Sequence, residues 1–251
     1  MIASWNRGFA RTSAFIGMCG WLVLGTAQAS PYRITGLDAA DHWEIKTIAK
    51  DTVEGDDRVL EAPLIDITAP LAPGLEASMT FGSGRLHTAG ESPRSGMVDT
   101  EVAMKWEMVP IGADGTLGIT IEPALIAPTG SAGLSDEAWS AEVPLVIGWN
   151  HGALRLRGLA GYGHSLESDE DEVSLGALVE CKVRPELSLG LEVVSTAPSE
   201  DADGRWKSMV DVGFKYELTP AVELQGRLGR SAARAGDPRV TQGAVYVEIA
   251  L

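Results

Sequence analysis

Cysteine is scarce in this 251-residue chain, which holds only Cys19 and Cys181. If residues 1–29 are a cleaved leader, as read below, Cys181 is the sole thiol left. An intramolecular disulfide is then excluded, as is a zinc site with cysteine spacing. Histidine is also sparse, with four residues, His42, His87, His151 and His164. His164 is followed by Ser165, but no acid is placed beside them by spacing, so the pair reads as solvated surface and no enzyme is expected. Basic charge is the third shortage. Lys and Arg total 20 against 35 Asp and Glu. Binding to nucleic acid needs a basic surface to neutralise phosphates, so nucleic acid is not an expected partner. Beyond residue 29 there is no apolar run near the roughly 20 residues that a membrane-spanning helix requires.

The amino-terminal stretch has the grammar of an export leader. Arg7 and Arg11 precede an apolar segment from Ala14 to Leu24, and Ala27-Gln28-Ala29 supplies a small-x-small cleavage pattern. Residues 1–29 are therefore expected to be a cleaved signal peptide and residues 30–251 the mature domain. Cleavage removes Arg7 and Arg11 and no acid, leaving 18 basic against 35 acidic side chains, a net charge of −17.

The mature part repeats a period-two pattern. Val102, Met104, Trp106 and Met108 alternate with Glu101, Ala103, Lys105 and Glu107. The same alternation of an apolar and a polar face runs through Leu117–Leu125, Val143–Trp149, Leu154–Arg157, Val173–Glu180, Leu187–Val193, Val210–Leu218, Val222–Leu228 and Val245–Leu251. These segments approach ten residues, the length needed to cross a bilayer as a tilted strand. Short connections near Thr68–Gly74, Pro110–Gly115, Asn150–Gly152, Arg184–Pro185 and Thr219–Pro220 alternate with long ones. Short turns on one side and long loops on the other are the habit of barrels in the bacterial outer membrane. The expected fold is all-β, an antiparallel up-and-down transmembrane barrel of about twelve strands, with both termini periplasmic and no plug domain. Pro63, Pro123 and Pro144 fall inside strand patterns and predict bulges. Trp43, Trp106, Trp149 and Tyr216 predict a periplasmic aromatic girdle, and Trp139, Tyr162 and Trp206 an external one.

A family resemblance follows from these strands. D-T-E-V-A-M-K-W (Asp99–Trp106) followed by L-G-I-T-I-E-P-A-L-I-A-P-T-G-S (Leu117–Ser131) resembles the transporter-like outer-membrane family labelled for the MetA pathway of phenol degradation. Ala62–Glu76 and Phe214–Leu224 extend the likeness. The resemblance implies an outer-membrane barrel with a transport role and no catalytic residues or cofactor.

Strand parity also nominates a lumen. Its expected acids are Asp99, Glu101, Glu107, Glu122, Glu142, Glu180, Glu192, Asp211, Glu217 and Glu223. Its bases are Lys105, Arg155, Arg157, Lys182, Lys215 and Arg227. Charge lining a water path sets ion preference, so the expected function is a narrow channel or transporter for small solutes that favours cations. The other reading is a non-conducting structural or surface-binding barrel, its lumen filled by ion pairs and its acidic loops the working surface. Glu167–Glu172 is such a loop, and Asp169, Glu170 and Asp171 are candidate cation ligands. The expected partners are membrane lipid, lipopolysaccharide and the outer-membrane assembly machinery, with the solute unknown.

Overall fold

The structure is a computed structural model that describes residues 30–112, 115–167, 171–198, 206–232 and 239–251. Among the described residues the regular elements are all strands: β1 (Glu44–Glu54), β2 (Asp57–Ala72), β3 (Leu75–His87), β4 (Arg94–Met97), β5 (Thr100–Val109), β6 (Leu117–Ile121), β7 (Ala124–Ala127), β8 (Ser140–His151), β9 (Leu154–Ser165), β10 (Asp171–Arg184), β11 (Leu187–Pro198), β12 (Lys207–Thr219), β13 (Val222–Ser231) and β14 (Val240–Ala250). Neighbours pair antiparallel in sequence order, and β1 pairs with β14 from Glu44↔Ala250 to Glu54↔Val240, which closes the sheet. Two departures reduce fourteen segments to a twelve-stranded wall. β6 and β7 are one strand interrupted at Glu122–Pro123, both paired with β5 and β8. β4 pairs only with the external end of β3, above the wall.

The prolines behave differently from one another. Pro63 lies where the β2–β3 register shifts between Glu61 and Leu64, and Pro123 interrupts its strand. Pro144 sits in β8 with continuous register to β9, contrary to the expected bulge. Its carbonyl accepts from the Glu122 N–H. The N and C=O of a strand residue point to the same side, so the donor that proline lacks faces the β6–β7 interruption.

The wall is polar inside and apolar outside. Buried side chains include Glu44, Lys46, Asp66, Glu76, Lys105, Glu122, Glu192 and Asp211, whereas Met104, Trp106, Leu175, Leu191, Val212 and Leu228 are exposed. A closed sheet satisfies its own backbone polar groups, so this inversion suits a wall surrounded by lipid. Trp43, Trp106 and Tyr216 are exposed near the end where β1 begins and β14 finishes, and Trp139 and Tyr162 near the other end. Trp149 is partly buried and stacks on His151 with ring centroids 5.2 Å apart. Leu175 is 49% exposed in mid-strand. Leu175→Arg is expected to cost about 2–4 kcal/mol at the bilayer midplane and to prevent assembly, read as loss of the heat-modifiable band on a cold electrophoresis gel.

The lumen holds an extended strap that strand parity does not predict. Residues 30–37 lie within the barrel, where Tyr32, Ile34, Thr35 and Leu37 are each no more than 1% exposed, and the chain emerges at the exposed Asp38 and Asp41 before β1. The alternation that finds strands is blind to this strap, because an extended segment packed inside a barrel needs no period of its own.

Candidate functional site: the strap and the lumen wall

The strap is seated in a furrow made by inward-facing glycines. A Cβ at Gly190 would lie 2.4 Å from the Tyr32 hydroxyl, and one at Gly213 2.6 Å from the same ring. A Cβ at Gly176 would meet Ile34 at 3.0 Å, and one at Gly148 would meet Leu37 at 2.3 Å. Only residues without side chains leave room for the strap here. Val146, Leu159, Leu178 and Val194 point inward beside these glycines and complete an apolar cluster with Tyr32, Ile34 and Leu37. Their inward position departs from a wholly polar lumen. A second inward cluster joins Ile48, Leu64, Ala244 and Tyr246 on β1, β2 and β14 with Val98 from the β4–β5 connection.

Carboxylates hold the strap's backbone. Glu192 on β11 accepts from two successive amides, Arg33 N–H to Oε2 at 3.0 Å and Ile34 N–H to Oε1 at 2.7 Å. The Ala39 and Ala40 amides donate to Glu107 and Glu76. Thr120 Oγ1 donates to the Leu37 carbonyl at 2.7 Å, and Tyr246 donates to the Pro31 carbonyl at 3.4 Å. Hydrogen bonds to ionised acceptors are roughly twice as strong as neutral ones. The Arg33 side chain turns away from the apolar furrow, donating to Gln242 Oε1 at 2.7 Å with its Nε 3.7 Å from Asp211. Arg227 donates to the same Gln242 oxygen at 3.0 Å.

The remaining lumen charges fall into two groups. On β14, β1, β2 and β3, Lys46 lies 3.4 Å from Glu44, 3.6 Å from Glu248 and 3.8 Å from Asp66, and Lys105 on β5 donates to Glu76 at 2.9 Å. Glu101 and Glu122 are buried on the same side. On β9, β10 and β12, Arg155 donates to Glu180 at 2.9 Å, Lys215 lies 3.8 Å from Glu180, and Arg157 donates to Asn150 at 3.4 Å. Lys182 and Glu217 pair at 3.8 Å at the exposed periplasmic rim, and Glu223 accepts from Gln225. Glu142 and Glu172 both pair across Gly163 near the external end.

Asp99 lies outside the wall strands. It accepts from the amides of Gly130 and Asp136 and so ties down the loop after β7. The inward and outward alternation breaks between Val98, which is buried, and Glu101, so parity counted through Val98 misplaces Asp99. In that loop burial, with Asp99 and Glu61 nearby, pushes the Asp136 carboxyl up to about 6. Asp169 and Glu170 lie outside the described residues. Asp171 accepts from Tyr162 at 2.7 Å and contacts His164 Nδ1 at 2.7 Å. Among the described residues no group of three or more ligands could hold a metal ion. The acid beside His164 was not legible by spacing, because the loop that brings Asp171 back spans a hairpin. Among the described residues no hydroxyl is hydrogen-bonded to the other ring nitrogen of His164.

A closed twelve-stranded sheet, apolar outside and charged inside, has the architecture of an outer-membrane β-barrel. Known structures of that class share the fold. An outer-membrane channel from Pseudomonas putida F1 is similar over 86% of this chain and 98% of its own, with a TM-score of 0.64 and 14% identity. The NanC porin is similar over 82% of this chain and 100% of its own, with a TM-score of 0.59 and 10% identity. The KdgM porin is similar over 82% and 99%, with a TM-score of 0.58 and 12% identity. No family model matches the chain, and no curated protein is similar to it.

Proposed function

We propose that this chain is a narrow channel of the bacterial outer membrane that passes small solutes beside the strap and prefers cations. The observation carrying this reading is the composition of the wall facing the strap. There Glu44, Asp66, Glu76, Glu101, Glu107, Glu122 and Glu248 outnumber Lys46, Lys50 and Lys105. Charge of one sign along a water path selects the opposite ion. The likeness in fold to a channel and to porins supports the transport half of the reading. In this reading the leader is cut after Ala29, the assembly machinery inserts the barrel, and the exposed apolar band meets lipid and lipopolysaccharide.

The burial of Tyr32, Ile34 and Leu37 across the lumen favours a second reading, a barrel that conducts nothing and works through its outer loops. One experiment separates the two. The purified protein is placed in a planar bilayer under a potassium chloride gradient. Steady openings with a reversal potential displaced toward that of potassium are expected, and Glu101→Gln should reduce the displacement. A reversal potential on the chloride side removes the cation preference. A folded barrel that never conducts leaves the second reading.

A further inference from the structure

We propose that the glycine furrow is a binding site for short, extended, cationic peptides, with the strap as its resident occupant. The inference deepens the channel reading by naming its solute class. The furrow recognises features that any extended peptide carries. Glu192 receives two consecutive amide N–H groups with its two oxygens, which is a backbone clamp and reads no side chain. Thr120 supplies the complementary donor to a carbonyl farther along. Between these anchors, recesses over Gly190 and Gly213, over Gly176 and over Gly148 take side chains of an aromatic or branched aliphatic kind. Alternate side chains point the other way, and there the site presents Asp211.

Asp211 sets the charge of the ligand. It is 0% exposed, and neither carboxylate oxygen accepts a hydrogen bond. The strap brings a guanidinium toward it but stops at 3.7 Å from Arg33 Nε. A buried carboxylate lacking hydrogen bonds is a costly group, and a donor cation placed closer is rewarded. The strap thus satisfies the furrow's apolar recesses and backbone clamp, while Asp211, with the Arg33 and Arg227 guanidinium groups near it, still accepts no hydrogen bond. A peptide free to slide along the furrow can place an arginine or lysine nearer to Asp211 than the tethered strap does.

The test uses a dye-labelled peptide, Tyr-Arg-Ile-Thr-Gly-Leu, and fluorescence anisotropy on the detergent-solubilised protein. The full chain is compared with a variant carrying Tyr32→Ala, Ile34→Ala and Leu37→Ala, which frees the furrow without touching a strand. Saturable binding at least about tenfold tighter to the variant is expected, because the wild-type furrow is occupied. Adding Asp211→Asn or Glu192→Gln to that variant should weaken binding about tenfold, the worth of a hydrogen bond to a charged group. A peptide with glutamate in place of its arginine should not bind. If the Glu192→Gln barrel fails to fold, Gly148→Ala closes the Leu37 recess from the wall and should weaken binding in the same way. Absence of saturable binding to the freed furrow overturns the proposal. So does binding indifferent to Asp211→Asn and to the charge of the peptide. A conducting barrel that binds no peptide loses this inference and keeps the channel. A barrel that binds the peptide but conducts nothing keeps the site and loses the channel.

Discussion

Full-length protein carrying Tyr32→Ala, Ile34→Ala and Leu37→Ala is expected to pass several-fold more current than the wild type in a planar bilayer. Each of these side chains is at most 1% exposed. Truncating a buried leucine or isoleucine costs about 2–5 kcal/mol, and a buried aromatic residue about 3–5 kcal/mol. The three losses together are comparable to what the hydrogen bonds to Glu192, Glu107 and Glu76 supply at about 1.5–3 kcal/mol each and that from Thr120 at about 0.5–1.5 kcal/mol, so little remains to hold the strap in place. No substituted residue belongs to a strand, so the wall hydrogen bonds that close the barrel are untouched. Gly190→Val attacks the same contact from the wall, since its new Cβ would lie 2.4 Å from the Tyr32 hydroxyl and its three nearest neighbours all belong to that side chain. Both variants should leave the heat-modifiable band in place while raising conductance. Conductance equal to wild type in both would mean that the water path does not pass the strap.

The second large effect concerns Lys46. Its ammonium is 1% exposed and lies within 4 Å of Glu44, Asp66 and Glu248. Lys46→Met keeps most of the volume and removes the cation, leaving three acids around an uncharged side chain. Breaking a buried ion pair by removing one partner costs about 3–5 kcal/mol, because the remaining charge stays desolvated. Lys46 binds β14, β1 and β2 across the closing seam, so the loss falls where the barrel shuts. The expected result is a large drop in the thermal unfolding midpoint of the detergent-solubilised protein, followed by circular dichroism. Lys46→Arg should recover most of it. An unchanged midpoint for Lys46→Met would mean that the cluster contributes no net stability.

Much of this fold is written in period two. The alternation in β5 from Glu101 to Glu107 reads directly as an inner face with Glu101, Ala103 and Lys105 and an outer face with Val102, Met104 and Trp106. Tertiary closure imposes that pattern along most of the wall, which is why alternation alone carries the architecture. Three features escaped it. The turn at Gly55–Asp56 makes the first external connection short, so loop-length alternation does not hold there. The inward valines and leucines of β8–β11 occupy positions that parity assigns to polar residues, and the buried strap explains them. The strap itself is held by contacts such as Arg33 to Glu192, separated by 159 residues. Spacing within a segment carries no information about such a partner. The inward glycines were the visible trace, since Gly148, Gly176, Gly190 and Gly213 recur on the polar face of β8, β10, β11 and β12.

Those glycines also make one side of the barrel mechanically soft. Glycine inside a strand costs roughly 0.5–1 kcal/mol relative to alanine, and a wall lined with several has thin, poorly buttressed strands. Here the missing thickness is supplied from within, by an aromatic ring and two aliphatic chains that belong to another part of the polypeptide. The strap is therefore an internal splint as well as an obstruction. Withdrawing it should let β10–β12 breathe, with faster amide exchange there than in β1–β3, where paired charges line the inner surface. Pore width and wall stiffness are thereby tied to the same short segment, and neither can change without the other.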